Sequence, residues 1–223
     1  MLSAPEIIEA LALEPGADDK LTVVPWPDRD AIEKRGATSI DLRLGRWFRS
    51  FKQTRTKSVA LAGGAAQPNR GVRETSPTKQ HFVPFGESYV LHPGRFVLGA
   101  TLEWLHLPRC LSGYVTGKSS LGRHGLVIET AAGIHPLFSG CLTLELANVG
   151  EVPLEIYPGM PVCQIFLHRT QPSKADDLGQ FSGRRKPLLS APRIDPIFER
   201  LRENPGKAVD EKKPKSQGSP AAA

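Results

Sequence analysis

The chain has 223 residues, 39% of them hydrophobic and 23% charged, with a formal net charge of +6. That is enough for one domain with a real core, and it contains no run of about 18 apolar residues to span a membrane. The basic balance suits an anionic ligand. Without an aromatic–basic ladder of the single-strand-binding kind, neither nucleic acid nor membrane is an expected partner.

In chain order, residues 1–15 predict a short amphipathic helix with Ser3 as N-cap and Ile7, Ile8, Leu11 and Leu13 as its apolar members. The opening lacks the basic and long apolar regions of a secretory leader. From there to about residue 170 the sequence reads as short β-rich runs separated by Gly, Pro and Asn. These are 21–25, 39–44, 89–92, 95–105, 113–117, 142–148, 154–157 and 162–168. Regular short strands with turn signals point to a mainly β barrel or sandwich. The pieces His92-Pro93-Gly94 and Tyr157-Pro158-Gly159 read as reversals.

Residues 53–80 break the rhythm and read as a long surface insertion. Residues 171–190 form a second irregular stretch that closes the main domain, taken as 1–190. In the 191–223 extension, Pro196–Arg202 predicts a short helix with Asp195 as N-cap. Residues 204–223, rich in Lys, Pro, Ser and Ala, are expected to be disordered. Cys110, Cys141 and Cys163 are too few and too widely spaced for a disulfide framework or a zinc site. They read as buried thiols in a reducing cytoplasm.

The densest chemical signal is Gly117-Lys118-Ser119-Ser120-Leu121-Gly122-Arg123. Two hydroxyls, an ammonium and a guanidinium converge among glycines that allow close backbone approach. Hydroxyls and backbone N–H groups bond phosphate oxygens, and Arg presents a fork that matches them. At roughly 1.5–3 kcal/mol per charge-assisted bond, three or four supply much of the ~8 kcal/mol of a micromolar affinity. The segment is not a P-loop, and a solvated polar turn is the competing reading. Downstream, Leu142-Thr143-Leu144-Glu145-Leu146-Ala147-Asn148 alternates as a strand, with Leu142, Leu144 and Leu146 on one face. Glu145 is a lone carboxylate on the other face. It is either a half-exposed strand residue or a group aimed into a ligand pocket.

The run GKSSLGR, then P-x-F-S-G at 136–140, L-T-L-E-L-x-N-V at 142–149 and P-L-x-x-x-P-G-M at 153–160 resembles the dCTP deaminase family. Thr38-Ser39-Ile40-Asp41-Leu42-Arg43-Leu44 is similar to that family's early strand, and Tyr89–Glu103 to its central strand pair. The matching pieces span residues 38–168 in family order. The resemblance implies a dUTPase-like β-barrel, a distorted jelly-roll with a short N-terminal helix, assembled as a homotrimer with sites at subunit junctions. It implies that Lys118, Ser119, Ser120 and Arg123, with Leu121 and Gly122 between them, hold a triphosphate carrying Mg²⁺. Backbone groups of Thr143 and Leu144 are then expected to read the pyrimidine, and Gln164 to contact the nucleotide.

Glu145 matches the family's catalytic glutamate. Deamination needs water added at C4 and a proton for the departing ammonia, and one carboxylate can serve both. Burial is expected to raise its pKa toward working pH, with Ser119 and Arg123 orienting the water. Zinc deaminases use H-x-E with P-C-x-x-C. This sequence has neither, so no catalytic zinc is expected.

Three departures stand out. Where the family reads I-D-P-G-F-S-G, this chain has Ile134-His135-Pro136-Leu137-Phe138-Ser139-Gly140 in a loop one residue shorter. The family Asp, which contacts the sugar and in diphosphatases activates water, is replaced by His135 or deleted. His135 can meet phosphate when protonated, or cap the turn. Residues 180–187 match the family's C-terminal lid loosely, keeping positive charge such as Arg184 for closure over the triphosphate. The 53–80 insertion has no assigned role. The rival readings are a dUTP diphosphatase or bifunctional enzyme making dUMP from dCTP, and a non-catalytic nucleotide-binding trimer.

Overall fold

The computed structural model describes residues 1–53, 78–129, 133–172, 182–189 and 196–203. In chain order the elements are α1 (Ala4–Ala12), β1 (Thr22–Val24), α2 (Arg29–Arg35), β2 (Ser39–Arg43), β3 (Trp47–Phe51) and β4 (Thr78–Phe82). There follow β5 (Tyr89–Leu91), β6 (Phe96–Ala100), β7 (Trp104–His106), β8 (Leu111–Gly117), α3 (Ser119–Gly122) and β9 (Leu126–Glu129). The last are β10 (Gly133–Ile134), β11 (Ser139–Gly140), β12 (Thr143–Asn148), β13 (Leu154–Ile156), β14 (Pro161–Arg169) and α4 (Pro196–Glu203). By contact, residues 1–54 and 74–189 form one unit; 55–73 and 190–223 form another, of which only α4 is described.

The strands make sheets ordered β4-β3-β6-β12-β9, β10-β8-β14-β2 and β1-β7-β11, with a β13-β5 pair. Their inner faces share one apolar core that includes Ile40, Leu42, Phe48, Val97, Leu144, Leu146 and Ile165. Alternation explains the choice of face: in β12 the residues at 144, 146 and 148 are buried while Glu145 is exposed. The buried Asn148 closes that strand by donating through Nδ2 to Leu91 O and Val152 O, each at 2.8 Å, and by accepting from Gly150 N–H at 2.9 Å. All its polar atoms are thereby satisfied.

The mainly β fold with a short N-terminal helix is as expected. Ser3 caps α1, and its N–H and hydroxyl both donate to Glu6 Oε2, at 2.9 and 2.8 Å; Ile7 and Leu11 are buried. Residues 95–105, expected as one strand, are two. β6 ends at Ala100, where Thr101 bridges Leu44, and β7 starts at Trp104 in a different sheet. Residues 78–80, read as the end of the surface insertion, open β4 and pair with β3; the rest of that insertion from residue 54 lies outside the described residues. The helix at 196–203 is present, while Asp195 and residues 204–223 lie outside the described residues.

α2 was not anticipated. Asp28 Oδ1 caps it by accepting from Ala31 N–H at 2.9 Å. Gly36, at φ 56°, closes it in the left-handed conformation. No helix among the described residues is long and apolar enough to cross a membrane.

Candidate active site

The phosphate-strip residues sit where β8 leaves its sheet. Lys118 N–H donates to Val162 O at 3.1 Å, and the next four residues wind into α3 with Lys118 as N-cap. Ser119, Ser120 and Arg123 are exposed. Leu121 turns inward and packs on the core, so only its backbone faces outward chemistry. Lys118 Nζ lies 2.7 Å from Asp41 Oδ2 of β2, with both side chains partly exposed. The ammonium expected to meet phosphate is thus held in an ion pair within the chain.

Gln164 lies in the same sheet, in a row with Asp41 on one side and Thr116 on the other. Ser39 Oγ donates weakly to Gln164 Oε1 at 3.4 Å. Lys118 and Gln164, two residues expected to contact nucleotide, are therefore both engaged by β2.

Glu145 is in the other large sheet. Its register partners are Leu98 of β6 and Glu129 of β9. On the same face Thr143 and Ala147 flank it in β12, Phe96, Leu98 and Ala100 lie in β6, and Arg49 of β3 continues the row beyond Leu98. Phe96 is exposed, and its ring centroid lies 5.6 Å from that of exposed Phe51. Glu145 is itself exposed, so a single chain does not supply the burial expected for a catalytic carboxyl group. Among the described residues, no hydrogen bond or ion pair links Glu145 to Lys118, Ser119, Ser120 or Arg123. Thr143 and Leu144 pair with Ala100 and Gly99 on one side. Residues 130–132, which follow β9, lie outside the described residues.

His135 is exposed, at the first position of a tight turn. Phe138 N–H donates to His135 O at 3.2 Å, Pro136 is second, and Leu137 is third with φ 67°. Proline second and a positive φ third make this a type II turn, whose third position favours glycine. It is anchored just past the end of β7 by Leu137 N–H to Leu107 O at 3.0 Å and by Leu107 N–H to Phe138 O at 2.9 Å.

The lid-like segment is described from 182 to 189 and is held by its own chain. Gly183 N–H donates to Ser139 O at 2.7 Å, and Cys141 N–H donates to Arg184 O at 2.8 Å. Arg49 Nε donates to Pro187 O at 3.2 Å. Arg185 lies over the Trp104 ring at 5.2 Å and Lys186 over Trp47 at 3.9 Å. Arg184 is exposed. None of these anchors was visible in the sequence, because β3, β7 and β11 are brought to the segment only by the fold.

A family model described as dCTP deaminase-like matches residues 1–170. The chain belongs to that family. Among curated relatives, the "dCTP deaminase, dUMP-forming" of Corynebacterium diphtheriae is 41% identical over 178 residues, covering 77% of this chain and 88% of its own. The protein of the same description from Mycobacterium sp. (strain KMS) is 43% identical over 160 residues, covering 69% of this chain and 80% of its own. The 2'-deoxycytidine 5'-triphosphate deaminase of Agrobacterium tumefaciens superposes with a TM-score of 0.53 at 24% identity, over 76% of this chain and 48% of that one. The last likeness concerns the fold.

Proposed function

We propose that this chain deaminates dCTP hydrolytically, at sites shared between neighbouring copies of a homotrimer. One observation carries the reading: Glu145 stands exposed on β12 opposite Leu98, beside a surface where Phe96 and Phe51 are also exposed and in ring contact. A second copy seated on that face covers Phe51 and Phe96 as well, and brings its own exposed Ser119, Ser120 and Arg123 toward the carboxylate. The relatives named dCTP deaminase supply the substrate.

In this mechanism Glu145 takes a proton from water as the oxygen adds at C4 and passes it to N3; it then carries the proton of the new C4 hydroxyl to the amino group, which leaves as ammonia as the C4 carbonyl forms. Ser119 and Arg123 of the neighbouring copy orient the water. Lys118, Ser119, Ser120 and Arg123, with the backbone of Leu121 and Gly122, hold the triphosphate; Gln164 contacts the nucleotide and Arg184 closes over it. Backbone groups of Thr143 and Leu144 read the pyrimidine edge. Mg²⁺ arrives on the triphosphate. The strip itself offers cations and hydroxyls, and its nearby carboxylate, Asp41, is already paired with Lys118. The strip residues would therefore hold the phosphates, and Mg²⁺ carried on the triphosphate would neutralise part of its charge. With no H-x-E and P-C-x-x-C signature in the sequence, the proton chemistry falls to Glu145 without zinc.

The product in this reading is dUTP, because the family's water-activating Asp of diphosphatases is replaced by His135 or deleted in the shorter loop. A second reading, release of dUMP, is favoured by the descriptions of the relatives. Incubating the purified protein with dCTP and Mg²⁺, and measuring ammonia, pyrophosphate and nucleotide products together, separates them. Ammonia matched by dUTP supports the first; dUMP with pyrophosphate supports the second. Nucleotide binding without ammonia release leaves a non-catalytic trimer.

A further inference from the structure

β2 presents three polar side chains at alternate positions, and each meets a different element. Ser39 reaches Gln164, Asp41 reaches Lys118, and Arg43 reaches Glu103. The first two partners are the residues assigned above to the nucleotide. The strand thus touches the site twice without supplying a nucleotide ligand itself.

Lys118 has its backbone fixed by Val162 O, but its side chain is long and carries much rotamer freedom. The 2.7 Å contact with Asp41 removes that freedom before any ligand arrives. An ammonium has three donors; one is spent on Asp41 and two remain for phosphate oxygens. Asp41 also brings negative charge near a polyanion. That charge is neutralised at contact distance by Lys118. Its side chain is 40% exposed, so water and salt screen what remains.

We propose that Asp41 is a positioning residue of the phosphate strip, holding Lys118 ready beside α3 rather than competing with the ligand for it. The inference rests on the reading that the strip takes the triphosphate.

The test compares the full-length wild type with Asp41→Asn, Asp41→Glu, Lys118→Met and the double variant Asp41→Asn/Lys118→Met. Two quantities are read: the Kd for Mg²⁺-tripolyphosphate by calorimetry, and KM and kcat for ammonia release from dCTP. Asp41→Asn is expected to raise Kd and KM about fivefold, as for a well-formed, partly exposed ion pair. Its kcat stays close to wild type, and Asp41→Glu recovers most of the affinity. In the Lys118→Met background, Asp41→Asn adds nothing. Affinity in Asp41→Asn equal to or tighter than wild type overturns the proposal, as does an equal loss with Lys118 already removed. A wild type that does not bind tripolyphosphate removes the phosphate reading and this inference together. A wild type that binds it but releases no ammonia from dCTP removes only the deaminase reading, and the Kd series still decides the role of Asp41.

Discussion

Arg43 meets Glu103 twice: its backbone N–H donates to Oε2 at 2.8 Å and its guanidinium Nη1 to Oε1 at 3.0 Å. Glu103 is buried, at 1% exposure, whereas the Arg43 side chain keeps about a third of its surface. Burial pushes the Glu103 carboxyl up, and the bonds from Arg43 pull it down less strongly, so its pKa is raised. A raised folded value means that the stabilisation tied to the bound proton is complete below the unfolded value, about 4.3. It is lost as pH rises through the folded value. Arg43→Ala keeps the backbone N–H bond but leaves the buried carboxylate without its charged partner, so it is expected to cost about 3 kcal/mol at pH 7 and less near pH 4. Urea unfolding at the two pH values checks this.

Leu137 occupies a left-handed backbone position, where a non-glycine residue costs about 1–2 kcal/mol. Glycine relieves that strain and loses some of it again to unfolded-chain entropy, about 0.5–1 kcal/mol. Trimming a half-buried leucine normally destabilises. Here Leu137→Gly is expected to match wild-type stability within ~1 kcal/mol, while Leu137→Ala falls below both. Thermal unfolding of the three proteins gives the order.

Gly140 has φ 150°, and a Cβ there lies 3.1 Å from Arg184 O and 3.3 Å from Arg184 N. Both obstacles are backbone, so they yield only if residues 183–184 lift away. Gly140→Ala is expected to free the segment and speed tryptic cleavage at Arg184 and Arg185 severalfold. Timed digestion followed by mass spectrometry reads this directly.

Glu145→Gln preserves shape and removes the proton acceptor. It is expected to bind dCTP as wild type does and to lose roughly 10²–10⁴-fold in kcat. If Arg123 holds phosphate as proposed, Arg123→Ala removes a charge-assisted contact of roughly 1.5–3 kcal/mol, and is expected to weaken dCTP binding by one to two orders of magnitude. Titration calorimetry with ammonia assays separates the two behaviours.

Cys163 is fully buried, and burial pushes its thiol up to about 12. The thiolate is the reactive form, so in native protein at pH 8 Cys163 is expected to resist a thiol reagent that reaches the half-buried Cys110 and Cys141. Full labelling is expected only after unfolding. Peptide mapping of the labelled sites tests this.

The sequence exposed those parts of the fold whose cause is local. Short β-rich runs at 39–44 and 162–168 and the alternation in 142–148 announced strands, and Ser3 ahead of Ile7, Ile8 and Leu11 announced a helix start. α2 carried sound end signals, Asp28 and Gly36, but buries only Ile32, so no apolar period marked it. β3 and β4 pair across residues 54–77, and no local pattern encodes a partner that far away. The candidate site divides in the same way. The residue types of the strip and Glu145 were readable. The Lys118–Asp41 pair and the segment anchored by Trp47 and Trp104 needed three-dimensional proximity.

Phe51 and Thr78 face each other as register partners at the connected end of the β3–β4 pair. In an antiparallel pair such residues lie only about 5 Å apart. The chain therefore departs and returns at nearly one point, and the sheet does not register how much sequence is spliced between. Replacing that stretch with a two-residue Asn-Gly reversal, or grafting a reporter domain into it, leaves the β3–β4 ladder the same geometric task.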